Sequence, residues 1–138
     1  MSASATQIAL VRATLPRLTK RPEQSAMAFR MHLSRYAPTL GKRLPGSPVQ
    51  MLTDAIAVIG SPQALRMQLT SLAHNLRASG MSPRGYMAIH AALMDMVSEH
   101  LGGATEVEDA WADVIGMILT SMMAQAHGPR SHAMPLAA

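Results

Sequence analysis

The sequence predicts an all-α fold of six to seven helices, and three observations carry this prediction. The composition is rich in Ala, Leu and Met, with 13 Met among 138 residues, and these are strong helix formers, whereas β-branched residues are scattered. Apolar residues recur at spacings of three and four, the period of one helix face. Serine–proline pairs and glycines stand where helices are expected to begin and end.

The first two helices are predicted at residues 4–20 and 22–36. Ser4 and Gln7 have the spacing of a capping box, and an apolar stripe follows on one face. Pro16 is expected to bend this first helix or to end its hydrogen bonding. The second helix opens with Pro22 at its first position and with the acidic Glu23 in its first turn, where the helix dipole favours a negative charge.

Four more helices are predicted at residues 48–60, 62–79, 83–101 and 105–126, with a short helical turn near 38–43. Three of them open with a serine cap followed by proline, and the last opens with the capping-box pair Thr105 and Glu108. Their ends coincide with glycines that suit a positive φ. The caps are Ser47, Ser61 and Ser82, and the glycines are Gly60, Gly80 and Gly102.

Apolar stripes predict the core-facing sides of the last three helices. The stripe is Leu65, Leu69, Leu72 and Leu76 on the helix at 62–79, and Ile89, Leu93, Met96, Val97 and Leu101 on the helix at 83–101. On the helix at 105–126 it is Trp111, Val114, Ile115, Ile118, Leu119 and Met122.

One domain is predicted over residues 1–126, and residues 127–138 lack periodicity and are expected to form a flexible tail. The chain has no Cys, which excludes disulfides, thiolate metal sites and a Cys nucleophile, and fits a reducing compartment. The N-terminus lacks the basic start and apolar run of a signal peptide, and no stretch approaches the roughly 20 apolar residues of a membrane span. We therefore expect a cytoplasmic protein.

The net charge of +4 is unevenly distributed. Eight of the twelve basic residues lie between residues 12 and 43, and six of the eight acids lie between residues 95 and 113. This distribution leaves three alternatives for the basic and the acidic half of the sequence: the two halves pair within the fold, they pair between subunits, or they form two solvated faces. No nucleic-acid partner is predicted, because neither aromatics nor a groove-reading motif accompany the basic residues. No enzyme is predicted either, because the chain lacks a metalloprotease motif, an acid pair with an orienting His, and a Gly-rich phosphate loop.

Two stretches resemble bacterial single-domain globins and the globin domain of flavohaemoglobins. Residues 72–89 (LAHNLRASGMSPRGYMAI) resemble the passage from the F helix to the G helix, where an iron-binding His is followed by a turn, an apolar residue, a Pro and a Tyr. Residues 109–116 (DAWADVIG) resemble the start of the last globin helix, and residues 92–102 resemble the body of the G helix. The order and spacing of these pieces imply a globin-like fold.

The resemblance implies a haem whose iron is held by a His seven residues before the Pro of the G helix. Counting back from Pro83 places Leu76 there, and leucine has no lone pair for a metal. His74 is the nearest histidine, but two residues correspond to about 200° of helix, so it is expected to point nearly the opposite way. His74 is therefore either a displaced metal ligand or an ordinary surface or interhelical residue, and Leu76 is expected to face inward. His90 on the next helix is the other histidine considered as a displaced ligand.

Other positions of the implied pocket differ as well. Arg30, after Phe29, stands where the family has a Tyr that donates to bound gas, and Leu44 stands where a Phe stacks on the porphyrin. Tyr86 matches the Tyr that supports the proximal His, but its Glu partner has no counterpart near residues 124–126. Arg30 is either solvated at the rim or a clamp for a carboxylate-bearing apolar ligand, because a buried guanidinium needs an anionic partner.

Met residues at helical spacing are typical of a core, although Met51 and Met81 are conceivable axial ligands. The resemblance implies a haem-associated protein that binds or senses oxygen or another gas, with atypical or lost haem ligation. The alternative is a haemless globin-fold module with a regulatory or protein-interaction role, and a third hypothesis is a carrier of another apolar anion. The predicted partner is thus haem, another apolar anion or a protein, and a homodimer through the last two helices is a further hypothesis.

Overall fold

All regular secondary structure in the described part of the chain is helical, which confirms the predicted all-α class. The computed structural model describes residues 3–40 and 47–127. The helices are α1 (Ala5–Thr19), α2 (Pro22–Tyr36), α3 (Pro48–Ala57), α4 (Pro62–Ala78), α5 (Pro83–Leu101) and α6 (Thr105–His127). Leu44, residues 41–43 of the turn expected at 38–43 and the tail after residue 127 lie outside the described residues.

The predicted serine caps are confirmed. The Ser4 side chain accepts a hydrogen bond from the Gln7 backbone, and the Gln7 side chain accepts one from the Ser4 backbone, which completes a capping box. The caps of α3, α4 and α5 each accept from the backbone N–H three residues later and precede a proline at the first helical position. Helix α1 continues through Pro16 to Thr19, so the proline does not end it.

Two of the three predicted glycine ends are confirmed, and the third is wrong. Gly80 and Gly102 have φ values of +81° and +79°, whereas Gly60 has no positive φ. Helix α3 ends at Ala57, three residues earlier than predicted, and the chain turns tightly through hydrogen bonds such as that from the Ile59 backbone N–H to the Ile56 carbonyl, at 3.3 Å. This early turn buries the Ile59 side chain in the core.

The end of α4 is a Schellman motif that fixes the direction of the next segment. The Met81 backbone N–H donates to the Leu76 carbonyl over 3.0 Å, with Gly80 in the left-handed conformation between them. The side chains of Leu76 and Met81 are both buried, the apolar contact that accompanies this motif. The chain then enters α5 at the Ser82 cap. Leu76 is therefore held in the core both by the burial of its side chain and by the hydrogen bond that its carbonyl accepts from Met81.

The described helices pack around one core. Helix α1 packs on α6, α2 on α5, and α6 also packs on α4 and α5, while α3 lies against α1, α2 and α4. The predicted stripes face inward, and the core includes the fully buried Trp111 and Tyr86. Within residues 3–40 and 47–127, no helix combines the length and the apolarity needed to cross a bilayer.

Candidate functional site

The two residues singled out on α4 lie on opposite faces of that helix. Leu76 is 1% exposed and packs in the core with Leu69 and Ala73, which share its face. His74 is exposed, on the side that also carries the exposed Met67. The predicted inward orientation of Leu76 is confirmed, and the rotation expected between the two positions is present.

The other residues considered as iron ligands have packing roles. The ring of His90 lies between α5 and α6, where Nε2 donates to the Ala112 carbonyl at 3.2 Å. A Cβ added at Gly116 would lie 4.0 Å from His90 Nε2, an ordinary van der Waals contact. Met81 is buried with its sulfur against Gly85, and the side chain of Met51 is half-buried.

The residues expected around a porphyrin divide between core and surface. Phe29 and Tyr86 are buried in the same core as Leu76, and burial raises the pKa of Tyr86 above its ordinary value. Arg30 is exposed. It projects about 100° from Phe29 around α2, which places its side chain at the solvent-exposed surface. Leu44 lies outside the described residues.

A shallow groove lies between α3 and α4, beside the helix that carries Leu76. Its volume is about 260 Å³, below the ~300–1,000 Å³ of typical ligand pockets. Half-buried Met51 and Leu72 line it beside the polar Asp54, whose carboxylate accepts from Gln50 at 2.8 Å. Leu76 does not line this groove. The lining residues are Met51, Asp54, Gln68, Leu69, Ser71, Leu72 and Asn75.

These residues do not fit a haem whose iron is held from α4. The position that should supply the ligand carries the alkane side chain of Leu76, and the nearest imidazole, His74, faces away from the core. In the described ranges, no set of three His, Asp or Glu side chains converges as a metal site requires. Arg30, expected as a possible clamp, is also absent from the core that contains Leu76.

A polar cluster joins α2 to α5, and sequence reasoning missed it. His32 Nε2 donates to Glu99 Oε2 at 2.6 Å, and His32 Nδ1 lies 3.7 Å from Asp95 Oδ2. The Tyr36 hydroxyl donates to the same Asp95 oxygen at 2.6 Å. This hydrogen bond, together with partial burial and the charge of Asp95, raises the pKa of Tyr36 above its ordinary value of 10.0. The available signal was the one-turn spacing of His32 and Tyr36 on one helix and of the two acids on the other.

The cluster borders an open surface hollow of about 390 Å³, which Arg35 and Ser98 also line. Both nitrogens of the imidazole face carboxylates on opposite sides, so the two acids do not converge with His32 on one point. The arrangement can hold α2 against α5 by hydrogen bonds between partly exposed groups. Its geometry does not bring a nucleophile to the imidazole, since Ser98 makes no hydrogen bond to His32 in the structure.

In the described part of the chain, no lysine or arginine of the basic half forms an ion pair with an acid of the acidic half. The two ion contacts found there, at 3.7 and 2.6 Å, both involve His32. Two arginines instead donate to backbone carbonyls: Arg12 to Ile56 at 3.2 Å and Arg17 to Leu101 at 3.5 Å. Of the three alternatives, pairing within the fold is limited in this part of the structure to the contacts of His32 with Asp95 and Glu99.

The chain matches no protein-family model and no curated protein. Its resemblance to globins rests on residues 72–89 and 109–116. The first segment spans the end of α4 and the start of α5, and the second lies in the first turns of α6.

Proposed function

We propose that this chain is a globin-fold domain that has lost its haem ligand and works by contact with another protein. Globins pack their helices pairwise around one pocket, and the six helices of residues 3–40 and 47–127, packed around one core, support this assignment. The segment that resembles the proximal helix and its turn lies on α4 and enters α5 through Gly80 and Ser82. The fold and the function are both inferences from these residues.

The burial of Leu76 is the observation that carries the proposal. A globin of this family is expected to present an imidazole to the iron at this position, whereas here an alkane packs against the core. Burial of a leucine side chain contributes about 1.5–3 kcal/mol, so the position stabilises the fold. The exposed His74 cannot replace the ligand without a rotation of α4 about its axis, which would expose Leu76.

The surface of the described residues provides more groups for contact with a partner protein than the interior provides for binding a ligand. The interior positions taken by Phe29, Leu76 and Tyr86 belong to one packed core, and packed interiors leave few voids larger than a water molecule. The surface, by contrast, carries cations without carboxylate partners in the described residues, and exposed methionines. Exposed apolar side chains beside uncompensated charge are the groups that a partner protein can bury and pair.

Titration with haemin, followed by absorption spectroscopy, tests the proposal. We expect the purified protein to give the spectrum of free haemin, because α4 presents no inward ligand. His74→Ala should not change that result, and Asn75→Ala, a neighbouring exposed position, is its matched control. A sharp stoichiometric Soret band that shifts on reduction and carbon monoxide, and weakens in His74→Ala alone, would instead show a working haem globin with a relocated ligand.

A further inference from the structure

The outward face of α2 carries two exposed methionines one turn apart. At about 100° per residue, Met27 and Met31 project close to opposite Phe29, the residue that anchors α2 in the core. Met27 is 68% exposed and Met31 is 52% exposed. Because residues four apart are neighbours on a helix surface, the two thioethers form one apolar strip along the helix.

Positive charge flanks this strip. Arg30 lies on one side of the methionine pair and Arg35 on the other, and both are exposed. Lys20 and Arg21, also exposed, precede the first turn of α2. None of these four cations is within ion-pair distance of a carboxylate among residues 3–40 and 47–127. We call the surface formed by Met27, Arg30, Met31 and Arg35 the Met–Arg face.

The pairing of the methionines separates this face from the other exposed apolar residues. Met67 and Met87 are each 71% exposed, but they stand singly on α4 and α5. Scattered single apolar residues are normal on a protein surface, whereas contiguous exposed apolar patches rimmed by polar residues mark interaction sites. Methionine is unbranched and polarisable, so its side chain adapts to irregular partner surfaces. It is common on protein surfaces that bind several different partners.

We propose that the Met–Arg face docks an acidic amphipathic helix of a partner protein. The apolar stripe of that helix packs on Met27 and Met31, and its carboxylates lie beside Arg30 and Arg35. Apolar burial supplies affinity, and charge complementarity selects an acidic partner over a basic one and accelerates encounter. The inference rests on the proposed function, because it names the surface through which a haemless module makes its protein contact.

Fluorescence anisotropy with a labelled model peptide tests this docking. The probe is an amphipathic helix with Leu at spacings of three and four and Glu along both flanks. The comparison peptides are a scramble of the same composition, which has no stripe, and a version with Lys in place of Glu. We expect the acidic amphipathic peptide to bind most tightly, and its affinity to fall as salt rises, because ions screen exposed charges.

Surface variants locate the binding. Met27→Ser with Met31→Ser, and separately Arg30→Glu, should each weaken the peptide's affinity by about tenfold or more, given the loss of apolar contact or the reversal of charge. The matched control is Met67→Ser with Met87→Ser, which removes two equally exposed methionines from other helices and should leave the affinity unchanged. All four methionines are exposed, so these changes spare the core, and circular dichroism verifies the fold of each variant.

Four results would overturn the docking proposal. The first is equal binding of the scrambled peptide, and the second is affinity that the Met27/Met31 variant does not lower. The third is a dimer in sedimentation velocity that dissociates in that variant, since a second copy would then cover the face. The fourth is Arg30-dependent binding to phosphatidylserine vesicles without peptide binding. If the peptide does not bind and haemin does not bind either, the docking proposal is wrong but the proposed function is not contradicted. A haem-dependent Soret band would contradict the proposed function itself.

Discussion

Leu76 and His74 show how the identity of one buried side chain determines whether a helical core can supply a metal ligand. They are two positions apart on α4, yet Leu76 is buried and His74 is exposed. An imidazole at the buried position could donate a lone pair to iron, whereas a leucine there contributes only packing. The Schellman hydrogen bond from Met81 to the Leu76 carbonyl fixes this register, so an exchange of faces would require the helix end to reform.

Tyr36 and Asp95 give a prediction at the same scale. Ionising Tyr36 would place a phenolate against the carboxylate that now accepts its hydrogen bond at 2.6 Å, which is why its pKa is raised above 10.0. Asp95→Asn removes that negative charge, so the pKa of Tyr36 should fall toward its ordinary value. Alkaline titration of the phenolate absorbance measures it, in a Tyr86→Phe background because the chain has two tyrosines.

The sign of the pH dependence follows from the raised pKa. The folded protein holds the Tyr36 proton more tightly than the unfolded chain does, so the contribution to stability is complete below pH 10.0 and is lost as the pH rises through the folded pKa. Glu99→Gln, one turn further along α5, is the control and should leave the pKa of Tyr36 close to its original value. An unchanged midpoint in Asp95→Asn would show that the carboxylate does not hold the phenol.

At the scale of the helices, Gly102 closes α5 in a conformation that only glycine adopts easily. Its φ of +79° and ψ of −178° lie in a region essentially restricted to glycine. Gly102→Ala should therefore lower the free energy of unfolding by about 1–3 kcal/mol. The cost is one of backbone conformation, because a Cβ at this position would meet no atom within 4 Å. Urea unfolding followed by circular dichroism measures the difference.

Gly60→Ala is the matched control for this substitution. Gly60 also has open space around its Cβ position, but its φ is not positive. Alanine there should leave stability unchanged or raise it by up to about 1 kcal/mol, because it restricts the unfolded chain. Equal destabilisation by the two substitutions would contradict the conformational argument for Gly102.

The helix starts were predictable because their signals are local. A serine cap and the proline after it act within a single turn, and Ser4 with Gln7 needs no knowledge of the rest of the chain. The end of α3 was not predictable in this way. The chain leaves the helix after Ala57 and buries Ile59, and that burial depends on α1, α2 and α4 being in place around it.

The candidate site was predictable only in part for the same reason. The opposite faces of Leu76 and His74 follow from helix geometry and are confirmed. The cluster of His32 with Asp95 and Glu99 forms only because α2 packs on α5, so the one-turn spacings within each helix do not by themselves identify the partners. Arg30 could be assigned to the surface only once the inward face of α2 was known.

For the whole molecule, the packing of α1 on α6 joins the two ends of the described chain. Gln7 Nε2 donates to Asp113 Oδ2 at 2.6 Å, and the indole N–H of Trp111 donates to Thr14 Oγ1 at 2.8 Å. Trp111 is fully buried, so its polar hydrogen depends on this one threonine for a partner. Contacts of such high sequence separation form only with the complete fold, because loop closure must precede them.

Thr14→Val should therefore destabilise the whole protein. Valine keeps the shape of threonine but leaves the buried indole N–H without an acceptor, which costs about 1–3 kcal/mol. Thr53→Val is the control, since Thr53 Oγ1 donates only to the Val49 carbonyl within its own helix, at 2.8 Å, and its replacement should change stability by no more than about 0.5 kcal/mol. Trp111 is the single tryptophan, so its emission reports the α1–α6 contact while circular dichroism reports the helical content of the chain as a whole. The two urea transitions should coincide and shift together in Thr14→Val. A shift no larger than that of Thr53→Val would mean that the Trp111 hydrogen bond does not stabilise the fold.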